Sequence, residues 1–223
     1  VTVNGEDLDI VWLNSGSSDL ASFELLKNSG SGDVVVHSTG SANPSYSYTD
    51  SDVDVNNINY LYTVRALDFC GKELKLSNQS KNILLALNGE TLSWNPYVGW
   101  QGNVREYVLE SFDGSTWNIF ATTSGNSHKL DTSYFSTSIC IRVRAEEENN
   151  PVFNSLSVSN VVCTEGRFVF YIPNALNPQN SENYFKVVGT NIDYDKSGGL
   201  LFSRWGETLL ELNNLDVGWD GRF

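Results

Sequence analysis

The sequence predicts an all-β protein built from consecutive β-sandwiches. Short runs alternate apolar and polar residues, most clearly at 60–66, where Tyr60, Tyr62, Val64 and Ala66 face one way. This alternation marks strands with one buried face. Clusters of Gly, Asn, Asp and Ser separate the runs at a spacing of roughly ten residues, which is typical of sandwiches. No stretch has a convincing helical period.

The chain contains an internal repeat of roughly eighty residues. Its aligned segments, first copy and then second, are 8–12 with 90–94, 23–25 with 107–109, 48–50 with 129–131, 62–66 with 141–145, and 76–78 with 158–160. The composition changes after the second copy. We therefore expect three all-β domains, at residues 1–85, 86–165 and 166–223, joined by short linkers that restrict their arrangement.

Charge and composition restrict the partners. The 223 residues include 27 acidic and 14 basic side chains, giving a formal net charge of -13. Such a field repels nucleic acid and anionic membranes, so neither is an expected partner. No run of about 18 apolar residues is present, so we expect no membrane-spanning helix. The sequence has no Met and begins inside a strand-like pattern, which predicts a piece of a longer protein.

The sequence argues against an enzyme. It contains no Gly-x-Ser-x-Gly, no His-Glu-x-x-His and no phosphate-binding loop. With two His and three Cys, none of them in a Cys-x-x-Cys pair, it offers little for nucleophilic catalysis or a zinc site. We expect no cofactor. Carboxylate pairs of the glycosidase type are formed in space and remain open at this stage.

The two copies resemble fibronectin type III modules. The shared pattern is an early tryptophan, Trp12 or Trp94, then the strand at 60–66 or its second-copy equivalent, then Ser-Asn near the last strand. The resemblance implies a buried tryptophan on the second strand and a corner tyrosine, Tyr60, at the start of the sixth. The second copy departs from the pattern by having Ser138-Ile139-Cys140 at this position.

Two of the three cysteines are placed to form a disulfide. Cys140 begins one predicted strand and Cys163 ends the next. In a symmetric hairpin the turn centre would fall at Pro151-Val152, within the most turn-like stretch of this region. Directly opposed residues come near the reach of a disulfide. We therefore expect a Cys140–Cys163 bond, formed on an oxidising export route, with Cys70 unpaired.

Four motifs occur in order near the end of the chain. They are Ile172-Pro173-Asn174-Ala175, Tyr184-Phe185-Lys186-Val187, Phe202-Ser203-Arg204-Trp205-Gly206-Glu207 and Gly218-Trp219-Asp220-Gly221. Together they resemble the gliding-motility-associated C-terminal domain, the type B sorting signal of type IX secretion in Bacteroidetes-type bacteria. The resemblance covers residues 168–223 and implies a C-terminal Ig-like β-sandwich sorting domain after the fibronectin type III-like sandwiches.

The resemblance also implies a function. Such a domain directs its cargo through the periplasm and outer membrane to the cell surface or extracellular space. The implied partners are the type IX translocon and its outer-membrane shuttle protein. The implied cargo is an adhesin of the gliding-motility kind. The alternative is a set of carbohydrate- or surface-binding accessory modules of a secreted hydrolase, with Tyr97, Trp100 and Trp117 as a stacking platform.

The resemblance assigns a candidate translocon-binding set. Its members are Tyr171, Ile172, Pro173, Asn174, Phe202, Arg204, Trp205, Gly206, Trp219, Asp220 and Gly221. For Phe202, Trp205 and Trp219 the preferred interpretation is core packing, because aromatic residues dominate small cores. Arg204 is expected to pair with Asp220 or Glu207.

The last domain departs from its family in two ways. The loop at 176–181 has neither the Asp nor the Gly usual there, and the family continues beyond the end of this chain with further strands. We therefore expect an unpaired edge near Tyr171, Ile172, Pro173 and Asn174, open to strand addition by a partner.

One acidic segment has the spacing of a cation loop. Asp50, Asp52 and Asp54 alternate oxygen ligands as calcium loops do. The segment lacks the glycine and the distal glutamate of an EF-hand. A solvated acidic turn is the preferred interpretation, with a calcium site as the alternative.

Overall fold

The computed structural model is all-β and describes residues 1–14, 16, 18–148, 155–166, 168–173 and 185–219. It divides into two compact units, Val1–Asp131 with Ile139–Thr164, and Thr132–Ser138 with Glu165–Phe223. The first holds two β-sandwiches, named here sandwich 1 (residues 1–81) and sandwich 2 (residues 85–164). The second is named the C-terminal unit. Within the described ranges, no helix has the length and apolarity needed to cross a membrane.

Sandwich 1 packs a smaller antiparallel sheet against a larger one. Its strands are β1 (Thr2–Asn4), β2 (Asp7–Leu13), β3 (Leu20–Asn28), β4 (Asp33–Gly40), β5 (Ser45–Asp50), β6 (Leu61–Asp68), β7 (Glu73–Leu76) and β8 (Ser80–Lys81). The smaller sheet has the order β1-β2-β5. The larger has the order β4-β3-β6-β7, and β8 also pairs with β6. This is a fibronectin type III-like sandwich, as the sequence predicts.

The core of sandwich 1 follows from alternation along its strands. In β2, Leu8, Ile10 and Trp12 are buried, whereas Val11 and Leu13 are exposed on the other face. Trp12 stacks on Tyr46, with 5.5 Å between the ring centroids. Residues of both sheets contribute to this core. The buried second-strand tryptophan predicted by the resemblance is confirmed.

Sandwich 2 repeats this architecture. Its strands are β9 (Leu85–Asn88), β10 (Thr91–Trp94), β11 (Val104–Phe112), β12 (Trp117–Thr123), β13 (Ser127–Lys129), β14 (Cys140–Glu147), β15 (Leu156–Val158) and β16 (Val162–Cys163). The smaller sheet has the order β13-β10-β9. The larger has the order β12-β11-β14-β15, with β16 also on β14. Trp94 is buried against Tyr107 at the position of Trp12. The internal repeat is therefore confirmed.

The repeated Ser-Asn motif has the same backbone role in each copy. The N–H of Val64 donates to Ser77 Oγ at 2.9 Å, and the N–H of Val143 donates to Ser159 Oγ at 2.9 Å. Each hydroxyl replaces a backbone acceptor where the last strand is interrupted, between β7 and β8 or between β15 and β16. The motif therefore keeps a ladder donor satisfied at a strand break.

The two copies differ at the corner tyrosine. Tyr60 lies directly before β6, and its hydroxyl accepts the N–H of Asp54 at 2.8 Å, as in a tyrosine corner. The register of β14 places Ile139 at the equivalent position in sandwich 2. There the hydroxyl of Thr164 accepts the N–H of Ile139 at 3.0 Å. Sandwich 2 thus holds this corner without a tyrosine.

A predicted hairpin turn at Asp113-Gly114-Ser115 connects β11 and β12. The register pairs Phe112 with Trp117, which confirms the turn. The Asp113 carboxylate accepts the N–H groups of Thr116 and Ser115, each at 2.8 Å. Gly114 has a φ of 98°, a conformation that favours glycine.

These hydrogen bonds predict a pH dependence. Donation by the backbone N–H groups of Thr116 and Ser115 holds the pKa of Asp113 far below its usual range. A depressed folded pKa gives stabilisation that is complete above the unfolded pKa of about 3.9 and is lost as pH falls through the folded pKa. We expect the difference in unfolding free energy between the native protein and Asp113→Ala to shrink in acid. Urea denaturation across a pH series measures it, and a difference that grows on acidification would contradict the prediction.

The C-terminal unit is built from short strands. It contains a 3-10 helix (Thr132–Phe135), β17 (Val169–Tyr171), β18 (Val188–Thr190), β19 (Gly199–Phe202) and β20 (Thr208–Leu212). Strand β17 pairs with β18, and β19 pairs with β20, both antiparallel. Phe185 and Trp219 form an isolated antiparallel bridge.

Candidate docking surface

The first motif of the C-terminal unit lies on an exposed strand. Val169, Phe170 and Tyr171 in β17 and the following Ile172 are all exposed, and Pro173 is half-buried. Among the described residues, β17 has β18 as its sheet neighbour and no strand on its other side. The expected open edge is therefore present. Asn174 lies outside the described residues.

The third motif forms the turn between β19 and β20. Ser203 closes the turn by donating its N–H to the Glu207 carbonyl at 2.8 Å. Its hydroxyl accepts the N–H groups of Trp205 and Glu207, each at 3.2 Å. Gly206 has a φ of 86°, which the turn requires. The Trp205 backbone is thus fixed in a hydrogen-bonded turn.

Trp205 is 81% exposed at the tip of this turn, and Phe202 is 53% exposed. Core packing is therefore wrong for both residues. The reason is local: Trp205 belongs to a turn, and Phe202 belongs to a two-stranded sheet. Arg204 lies with its guanidinium 5.1 Å from the Trp205 ring centroid, a cation–π contact.

The fourth motif is described only in part. Trp219 is half-buried and exchanges two backbone hydrogen bonds with Phe185, at 2.7 and 3.1 Å. It is therefore more sheltered than Trp205. Asp220 and Gly221 lie outside the described residues, and so does the expected pairing of Arg204 with Asp220.

The acidic segment of sandwich 1 does not form a cation loop. Asp50 is buried, and its carboxylate accepts the hydroxyl of Tyr62 at 2.8 Å and pairs with Lys27 at 3.0 Å. Asp54 accepts the N–H groups of Asn56 and Asn57 in a local turn. No group of three His, Cys, Asp or Glu able to hold a metal occurs among the described residues. The calcium alternative for Asp50, Asp52 and Asp54 is therefore not supported.

The Asp50 cluster is part of the core. Burial, with Asp50 as hydrogen-bond acceptor, raises the pKa of Tyr62 well above its usual value. The Lys27 side chain is 12% exposed and that of Asp50 is 3% exposed. This buried Lys27–Asp50–Tyr62 cluster joins β3, β5 and β6, and hence the two sheets.

The predicted disulfide is confirmed. Cys140 and Cys163 are directly opposed on β14 and β16 and are joined, whereas Cys70 is exposed and free. Sandwich 1 has Leu61 opposite Lys81 at the equivalent positions. The proposed turn centre at Pro151-Val152 lies outside the described residues. The registers of β15 and β16 on β14 differ by one residue, and the break between them absorbs the shift.

The proposed carbohydrate platform is not assembled. Tyr97 is buried, with Trp100 packed against it at 4.4 Å between centroids. Trp100 precedes the start of β11, whereas Trp117 pairs with its end, so β11 separates them. The guanidinium of Arg142 covers the ring of Trp117 at 4.2 Å. The three rings therefore offer no common stacking surface.

No model of a known protein family matches the sequence, and no curated protein sequence does. Among solved structures, the chain is similar to the crystal structure of the FN1–FN3 domains of chicken CNTN1, with 13% identity and a TM-score of 0.27. The match covers 74% of this chain and 64% of that one, so this chain spans less than two thirds of that structure. The fold assignment rests on the strand orders given above.

The fold and the disulfide agree on a broad location. Fibronectin type III-like sandwiches are common in cell-surface proteins, and disulfides persist in oxidising compartments. Sandwich 2 combines both features. The chain therefore has the characteristics of an extracellular or cell-surface module.

Sequence reasoning missed an ion-pair layer on sandwich 2. Glu110 on β11 is buried, and its carboxylate accepts the Nε–H of Arg142 on β14 at 2.7 Å. The two residues are directly paired in the sheet. The available signal was a glutamate and an arginine at alternating, outward-facing positions of two apolar strands.

Proposed function

We propose that this chain is the C-terminal region of a secreted cell-surface cargo. The two sandwiches act as spacer modules. The C-terminal unit is a type IX sorting domain recognised by the translocon and its outer-membrane shuttle protein, and the cargo is an adhesin of the gliding-motility kind. The four ordered motifs of residues 172–221 support this proposal.

The observation that carries the proposal is the exposure of Trp205. Large aromatic side chains are commonly buried, and tryptophan is enriched among residues that dominate binding energy. Trp205 lies on a turn fixed by the hydroxyl of Ser203 and by Gly206. A fixed backbone reduces the entropy lost when a partner encloses the ring. Phe202 adds an exposed apolar side chain in the preceding strand.

The open edge of β17 gives the translocon a second means of contact. Its backbone can accept an added strand, and its exposed side chains supply apolar contacts. The two contacts separate by mutation, since side-chain truncation at Trp205 leaves the β17 backbone intact.

We expect Trp205→Ala to reduce export of the full-length cargo and to cause its accumulation in the periplasm. The exposed position predicts a change in folding stability within about 0.5 kcal/mol. Phe69→Ala is the matched control, because Phe69 is also 81% exposed and lies at the turn between β6 and β7. Immunoblots of periplasmic and surface fractions measure export, and thermal unfolding confirms that both variants fold.

Deleting residues 168–223 with everything that follows tests the larger claim. The expected result is complete retention in the periplasm. Normal surface display of this deletion would overturn the sorting function. Equal export of Trp205→Ala and Phe69→Ala would remove Trp205 from the docking surface.

A further inference from the structure

The connection between the two sandwiches is buried. Strand β8 ends at Lys81 and β9 begins at Leu85, leaving residues 82–84 as the linker. Asn82 and Ile83 have no solvent exposure. Linkers between independent domains are ordinarily exposed and few contacts cross them. A fully buried asparagine in a linker therefore needs an explanation.

Asn82 is hydrogen-bonded to both sandwiches. Its side-chain oxygen accepts the N–H of Tyr60 at 2.7 Å, and its amide donates to the Ile58 carbonyl at 3.1 Å. Its own carbonyl accepts the amide of Asn95, in sandwich 2, at 3.1 Å. The Asn95 side chain in turn accepts the N–H of Leu84 at 2.8 Å. The linker is thus fixed on both sides.

A second contact joins β8 to the loop after β10. The hydroxyl of Ser80 donates to the Val98 carbonyl at 3.2 Å, and the side chain of Asn78 donates to the Gly99 carbonyl. Gly99 lies against Ser80 so closely that a Cβ there would stand 2.2 Å from Ser80 Oγ. Its φ of 138° also favours glycine.

A third contact joins β1 to β15. The hydroxyl of Ser157 donates to the Val1 carbonyl at 2.7 Å, and the N–H of Val158 donates to the Thr2 hydroxyl at 2.9 Å. Strands β1 and β8 belong to different sheets of sandwich 1. The contacts with sandwich 2 therefore involve both sheets, and bending at the linker would have to break one of them.

From these contacts we infer that the two sandwiches move and unfold as one body, with their relative orientation fixed by the junction at residues 82–84. Neither sandwich is an independent bead on a flexible tether. The coupling stands on the contacts alone. Its use as a stiff spacer that presents a distal part of the cargo rests on the proposed function.

Gly99→Ala tests this inference in the full chain. The added methyl group would force Ser80 and the loop apart without entering either core. Gly114→Ala is the matched control, because Gly114 also has a positive φ, lies in sandwich 2, and has open space at its Cβ position. Asn95→Ala removes junction hydrogen bonds without a clash and serves if Gly99→Ala folds poorly.

Spin labels read the orientation directly. The exposed thiol of Cys70 accepts one label in sandwich 1, and Thr122→Cys supplies an exposed site in sandwich 2. We expect a single narrow distance distribution in the otherwise native chain and in Gly114→Ala, and a broad one in Gly99→Ala or Asn95→Ala. Calorimetry should show the two sandwiches melting together, and separately once the junction is broken.

A broad distribution in the otherwise native chain would overturn the inference. So would distributions in Gly99→Ala and Asn95→Ala that match the native one. Neither outcome depends on export, so a failure here leaves the sorting proposal intact, and retention or release of the cargo does not bear on the coupling.

Discussion

Asp50→Ala is expected to destabilise sandwich 1 by about 3–5 kcal/mol, the usual cost of removing one partner of a buried ion pair. The carboxylate is almost completely enclosed and is shared by Lys27 and Tyr62. Truncation would leave the Lys27 ammonium without its anion and the Tyr62 hydroxyl without its acceptor. Urea unfolding of the native protein and the variant measures the loss.

Two controls separate this prediction from a calcium effect. Asp52→Ala changes an exposed side chain of the same segment and should alter the free energy of unfolding by about 0.5 kcal/mol or less. Tyr62→Phe removes one hydrogen bond and keeps the ion pair, so its cost should be smaller than that of Asp50→Ala. Equal losses in Asp50→Ala and Asp52→Ala, together with stabilisation by added calcium, would favour a cation site instead.

The repeated fold could be predicted because it depends on local pattern. Alternation in segments such as β2 and β6 assigns each side chain to a face, and a one-residue slip would expose the whole buried set. Trp12 and Trp94 then mark the same strand in each copy. The disulfide was also accessible, since hairpin symmetry relates Cys140 to Cys163 through chain distance alone.

The exposure of Trp205 was missed because composition was given more weight than turn chemistry. Aromatic residues usually occupy small cores, but Trp205 precedes Gly206 and follows Ser203, both of which are turn-forming residues. The junction could not be predicted. Asn82 and Asn95 meet Ile58, Tyr60 and Leu84 through the packing of two domains, and no local pattern encodes such contacts.

Loss of the Cys140–Cys163 bond is the second large effect that we expect. The bond closes a loop with a sequence separation of 23, for which the chain-entropy model gives about 3 kcal/mol. The reason lies in the unfolded chain, which gains freedom when the cross-link is absent. Urea unfolding of the double variant Cys140→Ser with Cys163→Ser measures the loss, and Cys70→Ser is the control, since Cys70 is exposed and free.

Alkylation without reductant, followed by mass spectrometry, tests the pairing itself. One labelled thiol at Cys70 is expected in the native protein, and three labelled thiols after reduction and unfolding. Three labelled thiols without reductant would refute the pairing. A double variant as stable as the native protein would show instead that the bond forms but that the β14–β16 register holds without it. Because β16 ends sandwich 2, removing the bond should first increase hydrogen exchange at Ile141 and Val162, which pair beside it.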